Sequence, residues 1–301
     1  MSGAILPAIA WRSDPALLRL FAVLSGGEGL TRVVGGAVRD TLSGHPVTDI
    51  DLATKLLPND VVARLGAATI KAVPTGIAHG TITAVADGKT FEVTTLRRDV
   101  TTDGRRATVD FTDDWAADAA RRDFTINALY ADPVSGGVYD PTGGLADLAA
   151  HRVRFIGDAA ARIDEDHLRI LRYFRFHARF GSGEADAKTL TIIAAKAASL
   201  RSLSRERIAD ELLKLLGLPD PAPSLQLMFT IDLFAHMLPE ADAATLGVLE
   251  RLVVAENAAG LAPDPVRRLI ALLPDDAGAA ALVAGRLKLS KRIGKRITAA
   301  R

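Results

Sequence analysis

Strand-like runs fill the first half of this 301-residue chain, and the second half changes character. Leu30–Val34, Asp49–Ala53, Gly80–Val85 and Lys89–Leu96 read as strands, each dominated by apolar and β-branched residues between polar breaks. Pro58 to Leu65 is expected to form a helix, with Asn59 as its N-cap after Pro58. From Ala159 onward nearly everything reads as helix, punctuated by Gly181-Ser182-Gly183, by Pro219-Asp220-Pro221-Ala222-Pro223, and by Pro263 and Pro265. Strands first and helices afterwards is a segregated α+β pattern. The length suggests about two domains. The boundary between the strand-rich and helical parts is expected near Arg154–Gly157, and the helical part is divided again, giving segments 1–154, 155–218 and 219–301.

The two carboxylates of Asp49-Ile50-Asp51 carry the chemistry, because of what precedes them. Gly36 stands thirteen residues upstream of Asp49, as the second glycine of Val33-Val34-Gly35-Gly36-Ala37-Val38-Arg39-Asp40. On a strand, residues i and i+2 project to the same side. Two carboxylates side by side repel each other unless a cation sits between them, and Mg²⁺ takes one or two carboxylates plus phosphate oxygens. The glycines let backbone N–H groups approach a triphosphate, and a helix start behind them favours negative charge. Taken singly, a Gly-Gly is usually a turn and an Asp-x-Asp a solvated loop. In this order and spacing they point to metal-dependent nucleotidyl transfer.

Composition removes several alternatives. The chain has no cysteine, which excludes disulfides and thiolate metal sites. No apolar run approaches the ~18 residues that a membrane span needs. The N-terminal stretch Met1-Ser2-Gly3-Ala4-Ile5-Leu6-Pro7 lacks a basic n-region and a long apolar h-region, so a cytoplasmic protein is expected. A net charge of +1 does not speak for or against nucleic acid, but its distribution does. Residues 277 to 301 carry seven Lys or Arg and no Asp or Glu, and Arg152 to Arg179 includes seven Arg. Such clusters can track a phosphate backbone, and they also occur on solvated helix faces.

Two further stretches add to the site. Arg121-Arg122-Asp123-Phe124, with an apolar-periodic helix expected after it, suits phosphate or sugar contact near a helix start; an Arg–Asp pair closing the domain is the alternative. In Glu165-Asp166-His167-Leu168-Arg169-Ile170-Leu171-Arg172-Tyr173-Phe174-Arg175, a helical reading makes Asp166 and Arg169 neighbours. An i,i+3 ion pair worth ~0.2–0.5 kcal/mol is the plain interpretation. The sharper one uses hydrogen-bond direction. Asp accepts and Arg donates, so the pair matches the amino group and ring acceptor of cytosine or adenine. Uracil and guanine present the reverse order and would leave both protein groups mismatched. Arg172 and Arg175, each rotated further round the helix, are expected to reach sugar or phosphate.

These stretches, in this order, resemble the class II tRNA CCA-adding nucleotidyltransferases and the related bacterial poly(A) polymerases. The resemblance covers about residues 30 to 216 and weakens towards the end. It implies a polymerase-β-like nucleotidyltransferase head with a mixed or antiparallel sheet, a helical neck and a partial helical body. It also implies that Asp49 and Asp51 hold Mg²⁺, that Gly36, Arg39 and Arg122 contact the nucleotide, and that Asp166 and Arg169 select its base. Thr101-Thr102-Asp103-Gly104-Arg105 looks like a flexible loop needed for the final A, with Arg98 and Arg106 departing from the usual residues around it. Ser204-Arg205-Glu206-Arg207-Ile208 through Leu216 is similar to the neck–body junction. Glu92 and Asp110 are candidates for a third carboxylate, and the chain is expected to stop short of the family's C-terminal tail. The implied reaction adds CCA to the 3′ end of tRNA from CTP and ATP. A poly(A) polymerase is the nearest alternative. A non-catalytic RNA-binding relative is a second, against which the intact Asp49 and Asp51 count.

Overall fold

The computed structural model describes residues 3–103, 106–182 and 185–300, with backbone alone at 99–103 and 106–109. The chain divides into two compact units, Met1–Ala150 with Arg154–Gly157, and His151–Val153 with Asp158–Arg301.

The first unit is built on strands β1 (Thr31–Val34), β2 (Asp51–Thr54), β3 (Lys71–Gly76), β4 (Thr81–Ala86), β5 (Lys89–Thr95), β6 (Arg97–Asp103), β7 (Arg106–Phe111), β8 (Tyr130–Ala131) and β9 (Val138–Tyr139). Seven of them form one sheet in the order β3-β4-β5-β2-β1-β8-β9, and β6 pairs with β7 in a separate hairpin. The sheet is mixed: β2 runs parallel to β5, and the other neighbours are antiparallel. Alternation along each strand sends successive side chains to opposite faces. Val33, Leu52, Ile82, Ala84 and Val93 enter the larger core, together with Leu17, Leu20 and Phe21 of the helix Pro15–Val23. Val34 and Ala53 face the other way, into a smaller cluster with Trp115, Ala119, Ala128 and Tyr130.

Several local details differ from the sequence reading. The second strand begins at Asp51, so Asp49 and Ile50 lie just outside it. The cause is next door: β1 stops at Val34, opposite Asp51, because Gly35 turns the chain away with φ +68°. The first helix after β2 is Pro58–Ala67, with Leu57 as N-cap and Pro58 at its first position, where a missing N–H costs nothing. Asn59 is therefore inside the helix. Thr101–Asp103, expected in a loop, belong to β6, while Gly104 and Arg105 lie outside the described residues.

The second unit is helical. Its helices include Ala159–Glu165, Arg169–Phe180, Arg205–Leu216, Ala243–Ala258, Pro265–Ala271 and Lys291–Thr298. Arg169–Phe180 buries Ile170, Leu171, Tyr173, Phe174, Phe176 and Phe180, and packs against Arg205–Leu216. A buried ion cluster ties three elements together. Arg268 is fully buried, gives Nε to Glu256 at 2.7 Å, and donates to the carbonyls of Leu216 and Pro219. Among the described residues, no helix is long and apolar enough to cross a membrane.

Candidate active site

Asp51 opens β2 with its side chain exposed, and Glu92 of β5 stands directly opposite it in the parallel register. Paired residues share a face of the sheet, so two carboxylates meet across neighbouring strands. Burial of the surroundings first, and the charge of Glu92 next, push the Asp51 carboxyl up to about 6; Arg122 works against them, and Asp49 adds to them. Asp49 lies exposed before the strand and accepts a hydrogen bond from Thr48 at 2.9 Å. It also lines a cleft of about 420 Å³ with Trp11, Lys89 and Phe91. Asp110, the other candidate carboxylate, is bound instead by Arg98, whose Nε and Nη2 reach one of its oxygens at 3.0 and 2.6 Å.

This donor set suits a hard divalent cation. Its ligands are carboxylate oxygens, and their mutual repulsion raises the proton affinity of Asp51 in the absence of a counter-charge. Among the described residues, no three acidic or imidazole side chains form a complete metal cage. A cation that draws part of its shell from phosphate oxygens does not need one.

The glycine turn and two arginines surround the carboxylates. Gly35 combines φ +68° with ψ −117°, and a Cβ there would sit 3.5 Å from the Asn127 carbonyl and 3.8 Å from Arg122 Nη1. Gly36 begins the helix Gly36–Leu42, and a Cβ there would lie 3.8 Å from Arg39 Nη2. Arg39 is buried and held on two sides. It binds Asp40 through Nε at 2.8 Å and Nη2 at 2.7 Å, and donates Nη1 to Asn127, which in turn gives Nδ2 to Asp123 at 2.9 Å.

Arg121 and Arg122 close the helix Trp115–Ala120 rather than opening one; Thr125–Asn127 is a single 3₁₀ turn. Both arginines meet Asp118 one turn back. Asp118 is almost fully buried and accepts from Arg121 Nε at 2.8 Å, Arg122 Nη2 at 3.0 Å and the Tyr130 hydroxyl at 2.7 Å. Burial alone would raise its carboxyl, but Arg122 and Arg121 outweigh that and hold it below the usual carboxylate range. Arg122 is thus anchored through Nε and Nη2, with Nη1 left beside Gly35.

In the helical unit, Asp166 is not on a helix with Arg169. It ends Ala159–Glu165 in an extended conformation, and the next helix starts at Arg169. The physical reason is its own side chain, whose Oδ1 accepts from the Leu168 N–H at 3.1 Å and competes with continued helix. Its Oδ2 pairs with Arg207 at 2.7 Å. Arg169 pairs with Glu165 at 2.5 Å and donates to the Arg162 carbonyl at 2.8 Å. The i,i+3 ion pair is therefore replaced by two separate pairs. Arg172 and Arg175, expected at sugar or phosphate, converge on the buried Glu211, at 3.9 and 2.7 Å.

A family model for the poly A polymerase head domain matches residues 31–154, and one for a probable RNA and SrmB-binding site of polymerase A matches residues 184–245. The chain is 42% identical over 265 residues to the mitochondrial CCA tRNA nucleotidyltransferase 1 of Mus musculus, covering 86% of this chain and 59% of that one. It is 40% identical over 206 residues to the CCA-adding enzyme of Leuconostoc citreum, covering 68% of this chain and 50% of that one. The crystal structure of the Bacillus stearothermophilus CCA-adding enzyme in complex with CTP superposes with a TM-score of 0.68 at 31% identity, over 95% of this chain and 66% of that one. The chain belongs to the class II CCA-adding nucleotidyltransferase and poly(A) polymerase family. It spans from half to three-fifths of the length of these curated relatives.

In this member of the CCA-adding and poly(A) polymerase family, three acidic side chains contact the expected site residues, Glu92 and Asp118 in the first unit and Glu211 in the second. Glu92 was one of two open choices, and the strand register favours it over Asp110. A signal existed in the alternation of β5, which puts Glu92 on the face opposite Phe91 and Val93. Asp118 and Glu211 gave no such signal, because each is an ordinary acidic residue of a short helix until its arginine partners are seen.

Proposed function

We propose that this chain transfers CMP and then AMP from CTP and ATP to the 3′ hydroxyl of tRNA, with release of pyrophosphate. The observation that carries the reading is the meeting of Asp51 and Glu92 across the parallel pair, with Asp49 beside them and Arg122 opposing their charge. Asp49 and Asp51 would hold Mg²⁺, with Glu92 facing Asp51 across the strands; when bound, the ion would lower the pKa of an attacking hydroxyl and neutralise a leaving pyrophosphate. The chain's own groups do the positioning. Gly35 and Gly36 leave room for phosphate against the backbone, and Arg39 and Arg122 present guanidinium groups beside them. Because Asp40, Asn127 and Asp118 already fix those arginines, little side-chain entropy is lost when phosphate arrives.

Base choice falls to Asp166 and Arg169. Each oxygen of Asp166 has one protein donor and keeps a further lone pair, so it can take an amino N–H from cytosine or adenine. A carbonyl in that place meets no donor. The test is incubation with tRNA lacking CCA and each labelled nucleotide, singly and in pairs, with product length read on a gel. Addition of two C and one A supports the reading. An open-ended A tract would make the chain a poly(A) polymerase, and no incorporation would leave an RNA-binding relative.

A further inference from the structure

We infer that Thr83, paired with Thr75, binds the terminal 2′-hydroxyl of the RNA strand being extended and so favours ribose-ended chains, an inference that rests on the metal-binding role proposed for Asp49 and Asp51.

Thr83 continues the line of carboxylates. Asp51 of β2 faces Glu92 of β5, and Glu92 faces Thr83 of β4. The strand neighbours Ile82 and Ala84 enter the larger core, so Thr83 stands on the opposite face, with Asp51 and Glu92. Directly opposed antiparallel residues have Cβ atoms about 5 Å apart. The next strand adds one more polar group to the line: Thr75 of β3, whose hydroxyl lies 2.9 Å from that of Thr83. Towards β1 the same face is closed by Trp115 and Tyr130, which pack with Val34 and Ala53. Among the described residues, that cluster takes none from β3, β4 or β5. Thr83 is half-buried, and Thr75 and Glu92 are exposed.

Threonine is an ordinary strand residue, and a second pair of hydroxyls, Thr81 and Thr94, meets at 3.2 Å on the same two strands. Register with the carboxylates sets Thr83 apart. The hydrogen-bond count of the Thr75–Thr83 pair then defines a ligand. Each hydroxyl has one hydrogen and two lone pairs. One hydrogen is used between the two residues, and the other stays free. The pair therefore offers a donor and spare acceptors together. A ribose hydroxyl, itself donor and acceptor, satisfies both, and deoxyribose brings neither. In nucleotidyl transfer the attacking 3′-hydroxyl must lie at the metal, hence beside Asp51. The 2′-hydroxyl sits on the adjacent carbon, and Thr83 stands one strand beyond Glu92 to receive it. That hydroxyl is what lets a protein tell RNA from DNA.

The experiment uses the full chain and tRNA lacking CCA in two forms, one ending in ribose and one in 2′-deoxyribose, with CTP as the other substrate. Wild type is expected to favour the ribose-ended form by roughly tenfold in kcat/KM for tRNA, the effect of about one hydrogen bond. Thr83→Val keeps the branched shape and removes the hydroxyl. It should cut the preference to about twofold or less, by losing activity on the ribose-ended form alone, with KM for CTP within about twofold of wild type. Thr83→Ser restores a hydroxyl and should restore most of the preference. A folded Thr83→Val protein that keeps the wild-type preference overturns the inference, as does an equal loss on both forms. If the Val variant does not fold, Thr83→Ala is read in the same way. A wild type that extends both forms equally overturns the inference and leaves nucleotidyl transfer standing. A wild type that extends neither form defeats the proposed function itself.

Discussion

Replacing Asp51 with Asn should stabilise the strand-bearing unit in the absence of metal. The folded state holds the Asp51 carboxyl at about 6 against an ordinary 3.8, so it binds that proton more tightly than the unfolded chain does. The sign follows: stability falls as pH rises from about 4 towards 6, and the full cost is present above 6. Undamped, the difference corresponds to ~3 kcal/mol. Asp51 is exposed, and solvent screening reduces this to ~1 kcal/mol. Denaturant unfolding in a chelator, followed by tryptophan fluorescence, measures it cleanly, because both tryptophans, Trp11 and Trp115, lie in the unit that contains Asp51. The Asn variant should exceed wild type by ~1 kcal/mol at pH 7.5, with the gap shrinking as pH falls to 4. Adding Mg²⁺ should raise the stability of wild type more than that of the variant. A variant no more stable than wild type at pH 7.5, or a gap independent of pH, would refute the burial and carboxylate crowding that raise Asp51.

Asp49→Ala and Asp51→Ala should each abolish nucleotide incorporation while circular dichroism stays unchanged, and wild-type turnover in either would remove that residue from the metal site. Asp166→Ala should blur the choice between CTP and UTP more than it slows transfer, read as the ratio of the two incorporation rates. Glu256→Leu should cost ~3 kcal/mol in unfolding of the helical unit, since Arg268 would remain fully buried with its charge unmatched; a loss near zero would show that the carbonyls of Leu216 and Pro219 suffice. Lys291, Arg292 and Lys295 are exposed on the helix Lys291–Thr298, and changing all three to Ala should weaken tRNA binding and flatten its salt dependence, measured by filter binding at two salt concentrations.

The fold class could be read because its signals are local. Strand β4 alternates faces through Ile82, Ala84 and Ala86, and the double glycine marks the end of β1 without reference to anything distant. Misreadings arose where side chains compete with the backbone or meet across long stretches of chain. Asp166 sits in a run with helical periodicity, yet its carboxylate captures the Leu168 N–H and interrupts the helix. Arg121 and Arg122 look like a helix start because an apolar run follows, but Asp118 draws them back to the helix before it. Arg172 and Arg175 look free to meet phosphate until Glu211, from another helix, is placed beneath them. None of these partners can be assigned from spacing, since each depends on which elements pack together.

The parallel pairing of β2 with β5 also makes the site a proof of correct assembly. Asp51 meets Glu92 only when the two strands align in one register. A slip of one residue would bring Phe91 or Val93 opposite Asp51 and turn Glu92 into the apolar core. Burying a carboxylate among Leu52, Ile82 and Phe91 is costly, so the same residue that would bind metal in the right alignment penalises the wrong ones. A chain that pairs β2 with β5 one residue out of register therefore loses the meeting of Asp51 with Glu92 and buries a carboxylate besides.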